Sequence, residues 1–310
     1  MLKVASTAGL AAVGVAVTEG YSMLTDTSSA AQAQAASTPA STKSGEMIYR
    51  TLGRTGERVS VIGLGGYHIG QIKTEQESIQ LIRRAIDRGI NFMDNSWDYH
   101  NGRSHRWMGA ALKNGYRQKV FLMTKIDGRT KAAAIQQIDD SLRDLQVDHL
   151  DLVQHHEILR FEDPDRVFAP GGSMEAMVEA QKAGKIRYIG FTGHKHPQIH
   201  LRMLEAAAQN NVRFDTVQMP LNVMDAHFRS FEQRVLPVLV QNQIGVLGMK
   251  SIGESYILRS NTVSAIANTD APTRASVSSC DDKTEGAVVA PNRTTARIPE
   301  INPHRCPTIV

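Results

Sequence analysis

From Met47 onward, short apolar runs alternate with longer stretches whose apolar positions recur every three or four residues. The chain first reads as a short hairpin, IYRTLGRTG, feeding a strand, VSVIGLGG (48–65). Further strand-like runs are FMDNSW (92–97), VFLMTK (120–125), LDLVQHH (150–156), IRYIGFTG (186–193), TVQMPLN (216–222) and IGVLGMK (244–250). Their nearly continuous apolar character predicts parallel strands buried on both faces.

The stretches between them predict helices. One begins at Thr74, where Thr-Glu-Gln-Glu is a capping box with Thr74 as N-cap, and stops at Gly89. Ile79, Leu81, Ile82, Ala85 and Ile86 share much of its one face. Others are predicted over 104–113, 131–145, 174–183, 196–209 and 229–241, with Ile135, Ile138, Leu142 and Leu145 as one apolar stripe. Repeated β/α units of this length predict an α/β protein, a (β/α)8 TIM barrel. A doubly wound sheet would carry a glycine-rich phosphate turn after its first strand, and GLGGYHIG lacks the GxGxxG spacing.

Both ends depart from this pattern. In residues 1–45, Lys3 precedes the small-residue apolar run AGLAAVGVAV, followed by a polar segment with A-x-A triplets. That order predicts a signal-peptide-like leader and linker. Met-Leu-Lys resembles the tail of a twin-arginine signal, though no arginine pair stands here. A working leader would make the protein periplasmic or exported; without one it would be cytoplasmic. The run is too short to span a bilayer, so stable membrane insertion is not expected. The barrel is expected over 46–258. Residues 259–310 contain no aromatic residue and little periodicity, which predicts a low-order divergent tail. A barrel needs an eighth unit there, and GAVVAP (286–291) is the one strand-like scrap, so that unit is expected to be missing or degenerate.

Composition narrows the chemistry. The chain has 310 residues, 41% of them hydrophobic, enough for one large core, and a formal net charge of +4. Cations are scattered among acids without a long basic run, which argues against nucleic acid as a partner. Cys280 and Cys306 lie in the tail without metal-ligand spacing, so no metal is expected. Four residues at the ends of three successive strands stand out: Asp94 and Tyr99, Lys125, and His156. Tyr as acid, Lys to lower its pKa, Asp to hold Lys, and His to orient an oxygen form a set fit to deliver a proton to a carbonyl.

With these residues in place, 49–258 resembles the aldo-keto reductases. The landmarks are LGRTG and VSVIGLGG, INFMDNSWDYHNGRSHRWMGAAL, VFLMTK, SLRDLQVDHLDLVQHHE, GKIRYIGFTGHK, VQMPLN and IGVLGMKSIG, in the family's order. The forms FTGHKHP, MPLNVMD and GVLGMK look like a bacterial subgroup of general aldo/keto reductases. The resemblance implies reduction of a small-molecule aldehyde or ketone, with NADPH as the usual hydride donor and NADH the alternative. It implies Tyr99 as general acid, Lys125 beside it, Asp94 holding Lys125, and His156 rather than His155 on the substrate oxygen. For the cofactor it implies Gln218 on the nicotinamide carboxamide, Thr192 where Ser is frequent, and Gly193 in place of the usual Asn. Met249 stands where a Tyr commonly stacks on the nicotinamide, and Lys250 could reach the pyrophosphate. Trp97 and His100 would line the substrate pocket, His194 and Lys195 would rim the cofactor pocket, and Met219 and Met224 would be core. After Leu258 no counterpart of the family's clamp for the adenosine 2′-phosphate is found, which predicts a tail translated out of frame from near Ile266.

Two rival readings remain at this stage. One is a truncated pseudoenzyme or binding module without turnover. The other is a barrel isomerase or lyase using the Tyr–Lys pair without cofactor.

Overall fold

The computed structural model describes residues 42–44 and 47–253. The leader upstream, the eighth unit, the cysteines, the 2′-phosphate clamp and the reading-frame change all concern residues outside the described ones.

The chain opens with an antiparallel sheet of β1 (Thr42–Ser44), β2 (Met47–Thr51) and β3 (Arg58–Ser60). β1 lies inside the stretch read as linker. Seven strands then form one parallel sheet in chain order: β4 (Gly63–Gly65), β5 (Phe92–Asp94), β6 (Phe121–Ile126), β7 (Leu150–His155), β8 (Ile186–Thr192), β9 (Thr216–Pro220) and β10 (Gly245–Met249). Helices connect them: α1 (Gly66–Ile69), α2 (Glu75–Asp87), α3 (Arg103–Leu112), α4 (Lys131–Leu145), α5 (Asp163–Phe168), α6 (Ser173–Lys182), α7 (Pro197–Gln209), α8 (Phe231–Arg234) and α9 (Leu236–Gln241). This is the architecture of a (β/α)8 barrel, with the eighth unit beyond the described residues. No described helix is long and apolar enough to cross a membrane.

Sequence and structure part where local rules compete. Thr74 does cap α2, its hydroxyl accepting from the Glu77 N–H at 3.2 Å. The stretch 229–241, expected as one helix, is split into α8 and α9. Pro237 explains the break: it offers no N–H, and its ring would clash with the Gln233 carbonyl in a continuous helix. α5 was not read from the sequence at all. On α4 the buried positions are Ala134, Ile138, Ser141 and Leu145, so Ile135 lies one step off the stripe and is exposed. Met219 is core as expected; Met224 is not, because it sits on the exposed loop after β9.

Alternation along the strands divides the interior into two apolar clusters. One joins the sheet's outer face to the helices and includes Leu122, Val153, Phe191, Phe214 and Val217. The other fills the inner face at the strand starts: Phe92, Phe121, Met123, Leu152 and Leu247, with Leu52 and Val59 from the hairpin. Phe92 and Phe121 stack with centroids 5.5 Å apart. The hairpin turn is pressed against β10, where a Cβ on Gly53 would stand 2.3 Å from the Gly245 nitrogen. Gly53 also has φ +53°, so two demands converge on glycine there. The starts of β5, β6 and β7 are thus plugged by apolar side chains, and two or four residues further along each of these strands the inward positions turn polar. That change puts the polar groups at the carboxyl ends, where barrel chemistry resides.

Candidate active site

The inward positions near the strand ends are Asp94 on β5, Lys125 on β6, Gln154 on β7, Thr192 on β8 and Gln218 on β9, all buried. They bond across the sheet's interior rather than along it. Gln154 Nε2 donates to Thr216 Oγ1 at 3.0 Å, and Gln218 Nε2 donates to Asp94 Oδ2 at 2.8 Å. The second bond joins strands four positions apart in the sheet, which requires the sheet to curl on itself.

Lys125 is the hub. Its ammonium donates to the Asp94 carboxylate, to the Asn95 carbonyl at 2.8 Å and to the Tyr99 phenol oxygen at 3.3 Å. Asp94 is 4% exposed and Lys125 3%. A buried charge survives only with partners of this quality. Burial alone would depress the Lys125 ammonium, but Asp94 and Tyr99 outweigh it and hold the group above its ordinary 10.5. The Tyr99 phenol is pushed upward, chiefly by burial. Lys125 pulls it down as the sequence expectation had it, yet burial, with Asp94 and Asp98, wins. The result is a phenol that keeps its proton at neutral pH beside a cation.

Tyr99 reaches Lys125 because the chain after β5 turns tightly. Asn95 N–H and Trp97 N–H continue the ladder onto the Met123 and Lys125 carbonyls, and Tyr99 N–H closes a turn on Ser96. His100, Asn101 and Gly102 then follow with φ of 54°, 54° and 74°. Three successive left-handed residues redirect the chain into α3 and leave the Tyr99 ring over the strand ends. Tyr67 braces it edge-on at 5.4 Å.

His156 lies just past β7 and faces the same cluster, its ring 5.9 Å from that of Tyr99. His155 points the other way, into the core against Ser173 and Phe214, where burial lowers its pKa to about 3 and keeps it neutral. Of the two adjacent histidines, His156 thus lies beside Tyr99 and His155 does not. Trp97 and His100 do not converge on one point. Trp97 Nε1 donates to Asp127 Oδ2 at 2.6 Å, while His100 is turned toward Tyr67, its Nε2 2.8 Å from the Tyr67 carbonyl.

The residues expected to hold a cofactor cluster at the ends of β8, β9 and β10. Gln218 must present its amide nitrogen to Asp94, because a carboxylate only accepts; its Oε1 is therefore turned away, buried and without a partner. An unmet acceptor of that kind costs about 1–3 kcal/mol unless a ligand supplies a donor. Thr192 Oγ1 lies 4.0 Å from the Met249 sulfur, so the two border one surface. A Cβ on Gly193 would stand 2.4 Å from the Ile158 carbonyl, so the Asn expected from the family does not fit this backbone. Lys250 closes β10 with φ 56°, its carbonyl accepting from Asn222 Nδ2 at 3.1 Å. His194 and Lys195 are exposed on the loop after β8, His194 lying 3.4 Å from Glu157.

The sequence reading passed over Asp127, Ser96 and Asp98. Asp127 Oδ1 is 3.1 Å from His156 Nδ1, and Ser96 Oγ is 3.3 Å from it. The available signal was spacing: Asp127 falls two residues after Lys125, on the same inward parity. Among the described residues, Asp98, Asp127 and His156 are close enough to share a cation, but Trp97, Ser96 and the imidazole already account for their approach by hydrogen bonding.

Comparison with known proteins points to one family. YhdN, an aldo-keto reductase of Bacillus subtilis, is 32% identical over 216 residues, which cover 65% of this chain and 61% of YhdN. The chain thus spans under two thirds of that relative. Aldo-keto reductase AFTS1 of Alternaria alternata is 28% identical over 260 residues, covering 71% of this chain and 69% of AFTS1. Among solved structures, the holo form of aldo-keto reductase AKR11C1 from Bacillus halodurans superposes with a TM-score of 0.57 at 26% identity, covering 66% of each chain. The family model described as Aldo/keto reductase family matches residues 61–297, running past Leu258, where the resemblance read from the sequence ended. A match over most of the chain places this protein in the aldo/keto reductase family.

Proposed function

We propose that the protein reduces an aldehyde or ketone to an alcohol, with NADPH as hydride donor and NADH as the alternative. The observation that carries this reading is the phenol of Tyr99, 3.3 Å from an ammonium that Asp94 pins in place at the barrel mouth.

The nicotinamide would supply a hydride to the carbonyl carbon. The chain's own residues do the rest. Tyr99 gives its proton to the carbonyl oxygen as negative charge gathers there. Lys125, 3.3 Å away, stabilises the phenolate left behind, and Asp94 keeps Lys125 from withdrawing into another contact. His156 hydrogen-bonds the substrate oxygen and so fixes which carbonyl face is presented. Gln218 Oε1 offers the acceptor that a carboxamide amino group would meet, and Thr192, Gly193 and Met249 would form the surface behind it. Lys250 would face the pyrophosphate.

NADPH titrated into the full chain should quench protein fluorescence saturably and raise the melting temperature, since a ligand bound to the folded state alone stabilises it by about 2.7 kcal/mol at a hundredfold excess over Kd. A screen of aldehydes with NADPH oxidation as readout follows. No binding of either nicotinamide cofactor would overturn the proposal and leave the cofactor-free readings standing.

A further inference from the structure

Asp127 is the most heavily engaged side chain near the site that the mechanism above does not use. Oδ2 accepts from Trp97 Nε1 at 2.6 Å, and Oδ1 faces His156 Nδ1 at 3.1 Å. Its backbone is fixed independently. Gln137 Oε1 accepts from the N–H groups of Asp127 and Gly128, both at 2.8 Å. Arg129 Nη1 donates to the Asp127 carbonyl at 3.0 Å, while Nη2 donates to the carbonyls of His156 and Glu157. One arginine therefore ties the end of β6 to the end of β7, and Asp127 and His156 are held in register by main chain and side chain together.

That geometry decides where the His156 hydrogen sits. Nδ1 faces two oxygens. Asp127 already accepts from Trp97 Nε1 through Oδ2, and a carboxylate only accepts. Ser96 Oγ, 3.3 Å from Nδ1, has its own hydrogen committed to Asp98 Oδ1 at 2.6 Å, so it too can only accept. With acceptors on both sides, Nδ1 must carry the hydrogen. The other groups facing the ring do not change this. Asp98 Oδ1, 3.9 Å from Nδ1, is a third acceptor. Tyr99 meets the ring edge-on. Arg129 engages only the backbone oxygen of His156, and Glu157 is turned to His194.

We propose that Asp127 is a positioning residue that fixes His156 as the Nδ1–H tautomer, so that the neutral ring accepts at Nε2 from a substrate alcohol and only the imidazolium donates to a substrate carbonyl. The role of His156 then differs between the two directions of the reaction. The tautomer assignment is independent of the reductase reading; its consequence for turnover rests on it.

The test uses the full chain labelled with 15N-histidine, with His156→Gln to assign the signal. Two-bond nitrogen–proton correlations, followed through a pH titration to the neutral ring, distinguish the tautomers without cofactor or substrate. The expected result is Nδ1–H in the wild type and a mixture in Asp127→Asn, whose amide donates as well as accepts. With an aldehyde substrate at a pH where the ring is neutral, Asp127→Asn should not lower kcat, because the Nε2–H tautomer it admits can donate to the carbonyl oxygen, with the KM for NADPH within about twofold. Asp127→Glu should recover the Nδ1–H tautomer. An Nε2–H signal for His156 in the wild type overturns the proposal whether or not Asp127→Asn folds. An unchanged tautomer in a folded Asp127→Asn overturns the role given to Asp127. Failure of the reductase reading would show as absent turnover in the wild type and would leave the spectrum untouched.

Discussion

Replacing Tyr99 with Phe is expected to lower carbonyl reduction by about 10²–10⁴-fold, the usual worth of a positioned general acid, while NADPH binding and melting temperature stay close to wild type. The substitution deletes one oxygen. The ring keeps its edge contacts with Tyr67 at 5.4 Å and His156 at 5.9 Å, so the loop after β5 has no reason to move. Lys125 retains Asp94 and the Asn95 carbonyl, so no buried charge is stranded. The loss should therefore fall on kcat at saturating NADPH. A variant within about tenfold of wild type would remove Tyr99 from the role of acid.

The pH profile supplies an independent reading of the same group. Burial holds the Tyr99 phenol above its ordinary value of 10 despite Lys125. Reduction needs the protonated phenol, which is present below the folded pKa and lost as pH rises through it. Loss of activity through Tyr99 should thus begin only above about pH 10, and any decline at lower pH must come from another group. In Tyr99→Phe the loss attributable to this group should vanish.

The sequence made the barrel legible because its strands are buried on both faces and so read as unbroken apolar runs; six of the seven fall where those runs predict, while VSVIGLGG is split between β3 and β4. The site was legible only in part. Lys125 and His156 could be found because each ends such a run, and Asp94 because it follows the apolar start of one; parity sends all three inward. What they bond to was hidden, since partners that meet across a barrel are far apart in the chain: Gln218 with Asp94 is separated by 124 positions. Asp127 went unseen for a similar reason. An acid two residues beyond a strand looks like an ordinary loop residue until β7 brings His156 beside it. The pull of Lys125 on Tyr99 was legible because charge partners can be guessed from residue types; the net upward shift was not, because burial depends on the packed loop. Local rules misled at α8 and α9, where Pro237 overrides a helical pattern, and at Ile135, where one step around α4 separates core from solvent.

Asp94→Asn should be the most destabilising change at this site, by about 3–5 kcal/mol, because it leaves the buried Lys125 ammonium with neutral partners and no compensating charge. For a domain of this size that corresponds to a fall in melting temperature on the order of 10 °C. The destabilisation should vary little through neutral pH. Lys125 is held above its ordinary 10.5, burial's downward push being outweighed by Asp94 and Tyr99. A group raised in this way contributes its full stability below the unfolded value and loses it as pH climbs through the folded one. Adding Lys125→Met to Asp94→Asn removes the stranded charge and should restore most of the melting temperature but none of the reduction, which separates the structural from the catalytic role of the pair. An Asp94→Asn protein that melts with wild type would show that Lys125 had found another anion or lost its proton. Asp94 has one further partner, Gln218, whose Nε2 it holds at 2.8 Å. Asparagine offers one acceptor oxygen where the carboxylate offers two, so Lys125 and Gln218 must compete for it. NADPH affinity should accordingly fall in Asp94→Asn and recover in the double variant, where Gln218 alone claims that oxygen.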